Sequence, residues 1–579
     1  MDIGVPSVRN LFRIKAERRI LWIAIGVTSI PLHLLYNSAV YISLAANDFY
    51  IFTVTNNHFE PGAYTNTSSH AFSEFNWATP NATTGEEYAE VQLFKSMLEG
   101  RNTGTGRYED LTPSQCAKRY NTDFLLTNRN LFLVTSHASN AAHNDTLLAR
   151  IYFEQDDPLP SDWLCRYDPV VVSRDDYQCN PNELASNVTR GLPWQMDLSY
   201  VGVIEISGCK SERAAEKCKV QFSLRIMIAV ICCNLVKVCA MIMTVVRSRE
   251  PTLVTLGDAV DSFLRISDPT TRGICFADRR FINREWRRGL GTGPRQWKQN
   301  GVQRWWTSVS KTRWITCNFC FAIIMIVAAV LLRLGIRHDG TVLNTDLKSM
   351  WSRGLGQVNS VSLLGIGLRN ITESILLANL PQAILSFLYL TYNSLFTCML
   401  SGHEWSLFSH HHRTLRVTSP RPGQRSTYWL QIPYTYAIPL MTLSGLLHWL
   451  TSQSIFLARV EIYDAFGTEI SRTISTVGYS CIAIISVLTL GIFALLAAAG
   501  MGYKRFPAEI TTVGCCSAAI SAACHTWGAD SEEIVGKKVR WGDVGVVPNL
   551  GVRHLTFSSE EIRKPVFGEV YSGAGRERE

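Results

Sequence analysis

Long runs without charged residues constrain this chain more than any other feature. Six apolar runs occur along its 579 residues, at 20–46, 226–246, 315–337, 374–400, 431–458 and 477–502. The first run and the last three contain no Asp, Glu, Lys or Arg. A helix needs about 20 apolar residues to cross a bilayer, and helices of water-soluble proteins are rarely this apolar on every side. The sequence therefore predicts an α-helical polytopic membrane protein with six transmembrane helices.

Basic residues predict the orientation of these helices. Arg and Lys are concentrated before the first run, between the second and third, between the fourth and fifth, and after the sixth. Loops rich in Arg and Lys stay in the cytoplasm, so much of the net charge of +8 reports topology. The predicted cytoplasmic segments are 1–19, 247–314, 401–430 and 503–579, and the predicted exoplasmic segments are 47–222, 338–373 and 459–476.

The longest exoplasmic segment is predicted to be a mixed α/β domain. Strand-like pieces occur at 50–55, 131–136, 201–207 and 218–223. Its possible disulfide cysteines are Cys116, Cys165, Cys179, Cys209 and Cys218. Cysteines in an oxidising compartment form disulfides, and short separations suggest Cys165–Cys179 and Cys209–Cys218. The number of cysteines allows other pairings and leaves one cysteine over.

Glycosylation motifs agree with this topology. Asn-x-Ser/Thr motifs on the predicted exoplasmic side occur at Asn66, Asn81, Asn144, Asn187 and Asn370. A single motif is weak because it occurs by chance, but four in one segment support an exoplasmic location. Asn370 lies only a few residues before the fourth apolar run, close to the expected membrane surface.

Polar side chains inside the apolar runs are the candidates for a ligand site or a polar bundle interior. They are Lys237, Asn234, His33, Asn37, Gln382, Asn393 and His448. Ser29, His33, Asn37 and Tyr41 are each four residues apart and would share one face of a helix. A lysine near mid-membrane costs at least about 2.5 kcal/mol. Two interpretations remain open: hydrogen bonds between helices, worth about 1 kcal/mol each, or a ligand site around Lys237.

Catalytic and metal-binding motifs are absent from the sequence. It contains no P-loop and no G-x-S-x-G motif, and in "HEWSL" (403–407) a leucine replaces the second histidine of a zinc motif. We therefore expect neither an enzyme nor a cofactor nor a metal site.

Two cytoplasmic segments suggest contact with lipid. The basic block 279–313 contains Trp286, Trp297, Trp305 and Trp306, which is typical of an interfacial anchor rather than a nucleic-acid site. Residues 251–266 have apolar residues at helical spacing, which predicts an amphipathic helix on the membrane or on the bundle. The lipid bilayer is the expected partner and nucleic acid is not. No protein partner and no fold for the tail are predicted.

Several segments resemble a known family. They are "DIGVPSVRN" (2–10), "SIPLHLLYNSAV" (29–40), "PTLVTLGDA" (251–259), 376–400, 423–457 and "CSAAISAACH" (516–525). In this order they are similar to domain of unknown function 6536, a family of fungal polytopic membrane proteins. The resemblance implies an integral membrane protein without an established activity. Other members usually carry two further membrane helices before "DIGVPSVRN", so this chain is either a short member or a gene product that starts late.

Two functions are compatible with these features. The first is a transporter-like or channel-like protein with a polar interior around Lys237. The alternative is a non-transporting sensor, scaffold or cell-surface protein that acts through its exoplasmic domain. The sequence predicts a multi-pass protein of the plasma membrane or an endomembrane, with both termini in the cytoplasm.

Overall fold

Six long helices connect two folded domains. The computed structural model describes residues 1–60, 107–137, 146–153, 161–169, 180–198, 202–217, 219–247, 252–288, 293–299, 301–340, 345–365, 370–526, 531–547 and 551–573. The long helices are α1 (Ala16–Leu35), α2 (Leu224–Arg247), α3 (Lys311–Asp339), α4 (Ile371–His410), α5 (Tyr434–Ser454) and α6 (Cys481–Tyr503). Successive helices leave one domain and enter the other, so the chain alternates between the two domains.

Five of these helices are long and apolar enough to cross a membrane: α1 with its following turn, α2, α3, α4 and α6. Helix α5 has 21 residues and no Asp, Glu, Lys or Arg, but it is not among these five. In α2 and α3 only 17% and 11% of the most apolar window is buried within the protein. Exposed apolar side chains on this scale are unfavourable in water. The structure is therefore compatible with a multi-pass membrane protein.

The first predicted span, 20–46, is wrong at its carboxyl end. Helix α1 gives way to a 3-10 turn, Tyr36–Ser38, and then to a strand, Val40–Asn47. Val40, Tyr41 and Ile42 are β-branched or aromatic residues, which favour strands. Tyr41 consequently lies on a strand and not on the predicted helical stripe. The other runs differ less, although α4 continues past residue 400 to His410.

The strands fall in both domains. They are β1 (Val40–Asn47), β2 (Phe49–Val54), β3 (Tyr108–Leu111), β4 (Asn128–Thr135), β5 (Leu147–Phe153), β6 (Gln195–Leu198), β7 (Gly202–Arg213), β8 (Lys219–Phe222), β9 (Arg295–Gln296), β10 (Arg416–Val417), β11 (Arg425–Ser426), β12 (Ile455–Tyr463), β13 (Ile470–Tyr479), β14 (Arg540–Val546), β15 (Arg553–Ser558) and β16 (Val570–Tyr571).

The first domain, here called the sheet domain, comprises β1–β8 and the β12–β13 hairpin. One sheet has six strands, with β3-β7-β4-β2-β5 in order and β6 paired to β7, and the other has the order β13-β12-β1-β8. Strands β2, β4, β7 and β8 confirm the four strand-like pieces. Residues 459–476, the predicted exoplasmic loop between the last two helices, form most of a hairpin whose β12 pairs in parallel with β1, Leu44 opposite Val460.

Short helices complete the sheet domain, and its core contains a disulfide. The helices are Pro113–Tyr120, Trp163–Arg166 and Pro181–Thr189, with Leu347–Ser352 between α3 and α4. Cys116 pairs with Cys209, so the suggested Cys209–Cys218 bridge is wrong. Strand β7 places Cys209 against the helix that carries Cys116, so residues far apart in the sequence form the bridge. Cys165 is also disulfide-bonded, while Cys179 and Cys218 lie outside the described residues.

The second domain, here called the composite domain, is assembled from four separate parts of the chain. They are residues 1–14, 252–310, the end of α4 with 411–433, and 504–573. Its short helices are Val8–Leu11, Leu256–Arg265, Arg279–Arg284, Ser517–Ala522 and Ser531–Val535, with 3-10 turns at Pro269–Thr271, Trp286–Arg288 and Trp305–Ser308. Strands β14, β15, β16 and β9 form its main sheet in that order, and β10 pairs with β11. One hydrophobic core joins all four parts.

This core also contains the two segments for which contact with lipid was suggested. Trp297 and Trp305 are buried, so the basic block 279–313 is mainly part of a folded domain and not an interfacial anchor; Trp306 is half-exposed. The amphipathic helix lies at Leu256–Arg265, and its apolar face packs into the composite core. Apolar residues at helical spacing do not distinguish a helix on a lipid surface from a helix on a protein core.

The amino-terminal segment is bound firmly to the composite domain. The Ile3 backbone N–H donates to the Cys515 carbonyl at 2.8 Å. The buried Asp2 carboxylate contacts Arg279 at 3.3 Å and Arg313 at 3.2 Å. An ion pair with two partners offsets the desolvation of a buried carboxylate. These contacts connect the first residues to the base of α3 and to the last segment of the chain.

The composite domain should lose stability in mild acid because of His554. This fully buried side chain donates from Nε2 to the His525 carbonyl at 3.1 Å and accepts at Nδ1 from the Ser572 hydroxyl at 2.6 Å. Burial lowers the pKa of His554 from 6.5 to about 4. The unfolded chain therefore binds the proton first, and stability present above pH 6.5 decreases by up to about 3 kcal/mol as the pH falls to 4.

Thermal unfolding followed by tryptophan fluorescence between pH 4 and 7.5 checks this expectation. The H554Q variant should show a flatter dependence on pH than the wild type, whereas the control H410Q, at an exposed position, should not. Equal slopes for wild type and H554Q would contradict the assignment.

Candidate functional site

A large cavity lies between α1, α2, α4 and α5. Its volume is about 890 Å³. The lining residues are Ser29, Leu32, His33, Tyr36, Asn37, Asn234, Lys237, Gln382, His448, Trp449 and Ser452. It extends from Lys237, in the middle of α2, to Asn37 and Ser452, which stand just before strands of the sheet domain. The cavity therefore occupies the half of the bundle next to the sheet domain.

Six of the seven polar candidates line this cavity: Lys237, Asn234, His33, Asn37, Gln382 and His448. Asn393 does not, because it lies eleven residues beyond Gln382 on α4, about 16 Å nearer to the composite domain. Asn37 reaches the cavity from the 3-10 turn and not from a helix. Leu32, Tyr36, Trp449 and Ser452 were not among the candidates. Helical spacing could have indicated two of them, since Tyr36 lies three residues after His33 and Ser452 lies four residues after His448.

Lys237 supplies the only formal charge among the lining residues in the described part of the chain. Its ammonium donates to Ser29 Oγ at 2.9 Å, and Ser29 Oγ donates in turn to the Ile25 carbonyl at 2.8 Å. No described carboxylate lies within ion-pair distance of Lys237. An ammonium has three donors, so further donor capacity is available for a ligand or for water.

Gln382 fixes His448. This glutamine is buried, and its Nε2 donates to the His448 backbone carbonyl at 2.8 Å. Its Oε1 must then be the atom that lies 2.7 Å from His448 Nδ1, so Nδ1 carries the proton. In the neutral ring, Nε2 is consequently an acceptor. The paired hydrogen bonds hold the imidazole in one orientation and tie α4 to α5.

His33 and His448 lie close together in the lining of the cavity. The two rings are nearly parallel, at 16°, with their centroids 6.4 Å apart. His33 Nδ1 lies 3.3 Å from Ser386 Oγ, which donates to the Gln382 carbonyl at 3.0 Å. The serine hydroxyl has one hydrogen, so it accepts from His33 Nδ1. The cavity therefore presents an ammonium and two oriented imidazoles.

Both open interpretations of the polar stripes have a structural basis. Gln382 with His448 and Asn379 with Ser38, at 2.7 Å, are hydrogen-bonded contacts between helices. Lys237, Asn234 and Asn37 instead border open space. A second cavity, beside Asp339 and Arg353, measures only about 30 Å³ and has room for about one water molecule. It is not a ligand site of comparable size.

Other candidate groups lie elsewhere. Asn187 is on the short helix Pro181–Thr189 of the sheet domain, and the exposed Asn370 directly precedes α4. Asn66, Asn81 and Asn144 lie outside the described residues. Among the described residues, no cluster of His, Cys, Asp or Glu could hold a metal ion.

Two family models match the chain. Residues 1–43 match the family of unknown function DUF6536, and residues 290–573 match the domain of unknown function DUF8419. The DUF6536 match confirms the resemblance for its first two segments. The four later segments lie outside the DUF6536 match, and three of them fall within the DUF8419 match. No curated protein and no solved structure matches the chain.

The cavity forms where these family regions meet. The DUF6536 segment contributes Ser29, His33 and Asn37 from α1 and its turn, and the DUF8419 region contributes Gln382 and His448. Helix α2, which carries Asn234 and Lys237, lies between the two matched regions. The site therefore depends on residues from both matched regions and from the helix between them.

Removing the Gln382 side-chain amide should destabilise the bundle. The Q382L variant leaves the His448 carbonyl and Nδ1 without their partner, which costs about 1–2 kcal/mol. Titration with sodium dodecyl sulfate in mixed micelles would measure the loss. The matched control is N393L, on the same helix but away from the cavity. A loss of equal size in both variants would show that Gln382 has no special role.

Proposed function

We propose that this chain is a multi-pass membrane protein that binds a small anionic molecule in the cavity around Lys237 and acts as a transporter. The observation that carries the proposal is the single positive charge of Lys237 in a cavity whose described lining contains no carboxylate. Electrostatic attraction inside a low-dielectric bundle is stronger than in water, so such a cavity favours an anion. Carboxylate and phosphate are the ligand groups that an ammonium and imidazoles bind.

The volume of the cavity supports a small-molecule ligand. About 890 Å³ falls within the range of about 300–1,000 Å³ usual for such sites. Its lining combines the apolar side chains of Leu32 and Trp449 with polar groups. An intramembrane ionisable group that borders a cavity is more often part of a ligand or ion pathway than of a packed core.

We infer an orientation in which the sheet domain is exoplasmic. The basic segments that were predicted to be cytoplasmic all enter the composite domain, and both described sequons lie at the sheet-domain end. In this orientation the cavity faces the exoplasmic side. The alternation of the helices between domains supports a sixth span at α5, since α4 ends in the composite domain and α6 begins at the sheet domain.

A sensor is the second candidate function. One observation favours it: α1 continues into β1, α5 continues into β12, and β1 pairs with β12. A movement in the sheet domain would therefore reach two cavity-lining helices directly. In this alternative the cavity binds an anion without moving it across the membrane.

A K237M variant should lose anion binding but keep the fold. Thermal shift of the purified protein would be measured with sodium phosphate, acetate and succinate, against sodium chloride. We expect one of these anions to stabilise the wild type and its affinity to fall at least tenfold in K237M. Without added anion, K237M should be as stable as the wild type, because methionine fills the site without a charge.

R333M is the matched control, because Arg333 is an exposed cation within α3 that does not line the cavity. Its response to each anion should equal that of the wild type. Unchanged binding in K237M would remove the basis of the proposal. Proteoliposome uptake of the stabilising anion then separates the candidates: uptake supports a transporter, and binding without uptake supports a sensor.

A further inference from the structure

A smaller, strongly basic cavity lies at the opposite end of the bundle. It measures about 210 Å³ and is formed where α4 and α5 meet the composite domain. Its charged lining residues are Arg413, Arg416, Arg425 and Glu404. The lining therefore contains three guanidinium groups and one carboxylate, which gives the pocket a net positive charge.

The Glu404 carboxylate is already paired with Arg416. Arg416 donates from Nε to Glu404 Oε1 at 2.9 Å and from Nη2 to Oε2 at 2.6 Å. Its Nη1 donates to Thr427 Oγ1 at 2.7 Å and to the Gln431 carbonyl at 2.8 Å. A bidentate pair with these extra bonds is a structural element. Arg416 and Glu404 thus form one wall of the pocket.

The other two arginines lack such partners. The guanidinium of Arg413 makes no hydrogen bond or ion pair within the described ranges. Arg425 Nη2 stays 3.9 Å from Glu404 Oε1, and its buried Nε has no hydrogen-bond partner there. Burial first, and then the neighbouring Arg425, lower the pKa of Arg413. Glu404, already paired with Arg416, is the one carboxylate in the described lining, and neighbouring like charges are unfavourable unless an anion joins them.

The pocket is rigid and small. Gln431, one of its lining residues, has a φ of +66° and donates through Nε2 to the Gly4 carbonyl at 2.8 Å and to the Val254 carbonyl at 2.9 Å. These bonds hold the strained residue in place. The volume is below the usual range of about 300–1,000 Å³ for drug-sized ligands. It suits a single compact anionic group.

The surroundings of the pocket point to a membrane surface. Trp429 is 96% exposed, and Leu430 and Tyr434 beside it are 41% and 40% exposed. They lie at the start of α5, next to pocket residues 431–433. Aromatic side chains concentrate at the level of lipid headgroups, and basic pockets at the cytoplasmic ends of helices bind anionic headgroups.

We propose that Arg413 and Arg425 bind a phosphate group, supplied by the headgroup of an anionic lipid. Their two guanidinium groups would donate to the phosphate oxygens, and the acyl chains would remain outside, beside Trp429. This site is independent of the Lys237 cavity, since it shares no lining residue with it. Free phosphate has the same binding chemistry, and the experiment distinguishes the two sources.

The full-length protein in neutral detergent would be titrated with three probes: sodium phosphate, dioctanoyl phosphatidylinositol 4-phosphate and dioctanoyl phosphatidylcholine. Thermal stability is the readout. We expect the anionic lipid to raise the melting temperature at low micromolar concentration and phosphatidylcholine to leave it unchanged. In R413Q/R425Q the affinity for the anionic lipid should fall at least tenfold.

Two controls keep the result interpretable. R421Q changes an exposed arginine of the same loop outside the pocket and should respond like the wild type. The single variant R413Q, without ligand, should be at least as stable as the wild type, because the repulsion with Arg425 is gone. The melting temperature of R413Q/R425Q without ligand, compared with that of the wild type, shows that loss of binding is not loss of folding.

The outcomes are distinct. A response to the lipid that is lost in R413Q/R425Q supports the proposal with a lipid as the source. A response to sodium phosphate alone, lost in the same variant, supports the phosphate site with a free anion as the source. No response to either probe, or an equal response in wild type and R413Q/R425Q, overturns the proposal.

Discussion

The apolar surface of the long helices is the constraint on which the rest of the structure depends. Helices α2 and α3 bury few side chains within the protein, so neither can exist in water without association. The polar segments of the chain must then lie at the helix ends, where they form the sheet domain and the composite domain. Inside the bundle, each polar group needs either a hydrogen-bond partner or a water-filled space. Gln382 and His448 satisfy each other, whereas Lys237 borders the large cavity.

The two basic sites differ in how they hold charge. Lys237 is a single ammonium opposite two imidazoles, at the half of the bundle nearest the sheet domain. The pocket at the other end contains planar guanidinium groups, one of them already paired with Glu404. A guanidinium presents several donors in a fixed plane, whereas an ammonium is a compact charge. The two ends of the helix bundle therefore present different cationic groups to a ligand, an ammonium at one end and guanidinium groups at the other.

Local patterns predicted the elements better than their assembly. The apolar runs located the six helices, and alternating residues located β2, β4, β7 and β8, because both patterns depend on neighbouring residues. The helical spacing of polar residues brought six of seven candidates to one cavity. Asn393 and Tyr41 did not follow, since one lies too far along α4 and the other lies past the end of α1. The Cys116–Cys209 pair and the composite core join distant residues, which no local pattern encodes.

The composite domain has a consequence for biosynthesis. Its core requires residues 1–14 and also the segment that follows α6, so it cannot close until that last segment has been synthesised. The first residues, including Ile3, are synthesised early, but their contact with Cys515 can form only after that late segment has been made. A helix inserted in the wrong direction would carry a needed segment to the opposite side of the membrane. Completion of this domain thus serves as a check on topology, and a misinserted chain would expose unpaired core surface to chaperones and proteases.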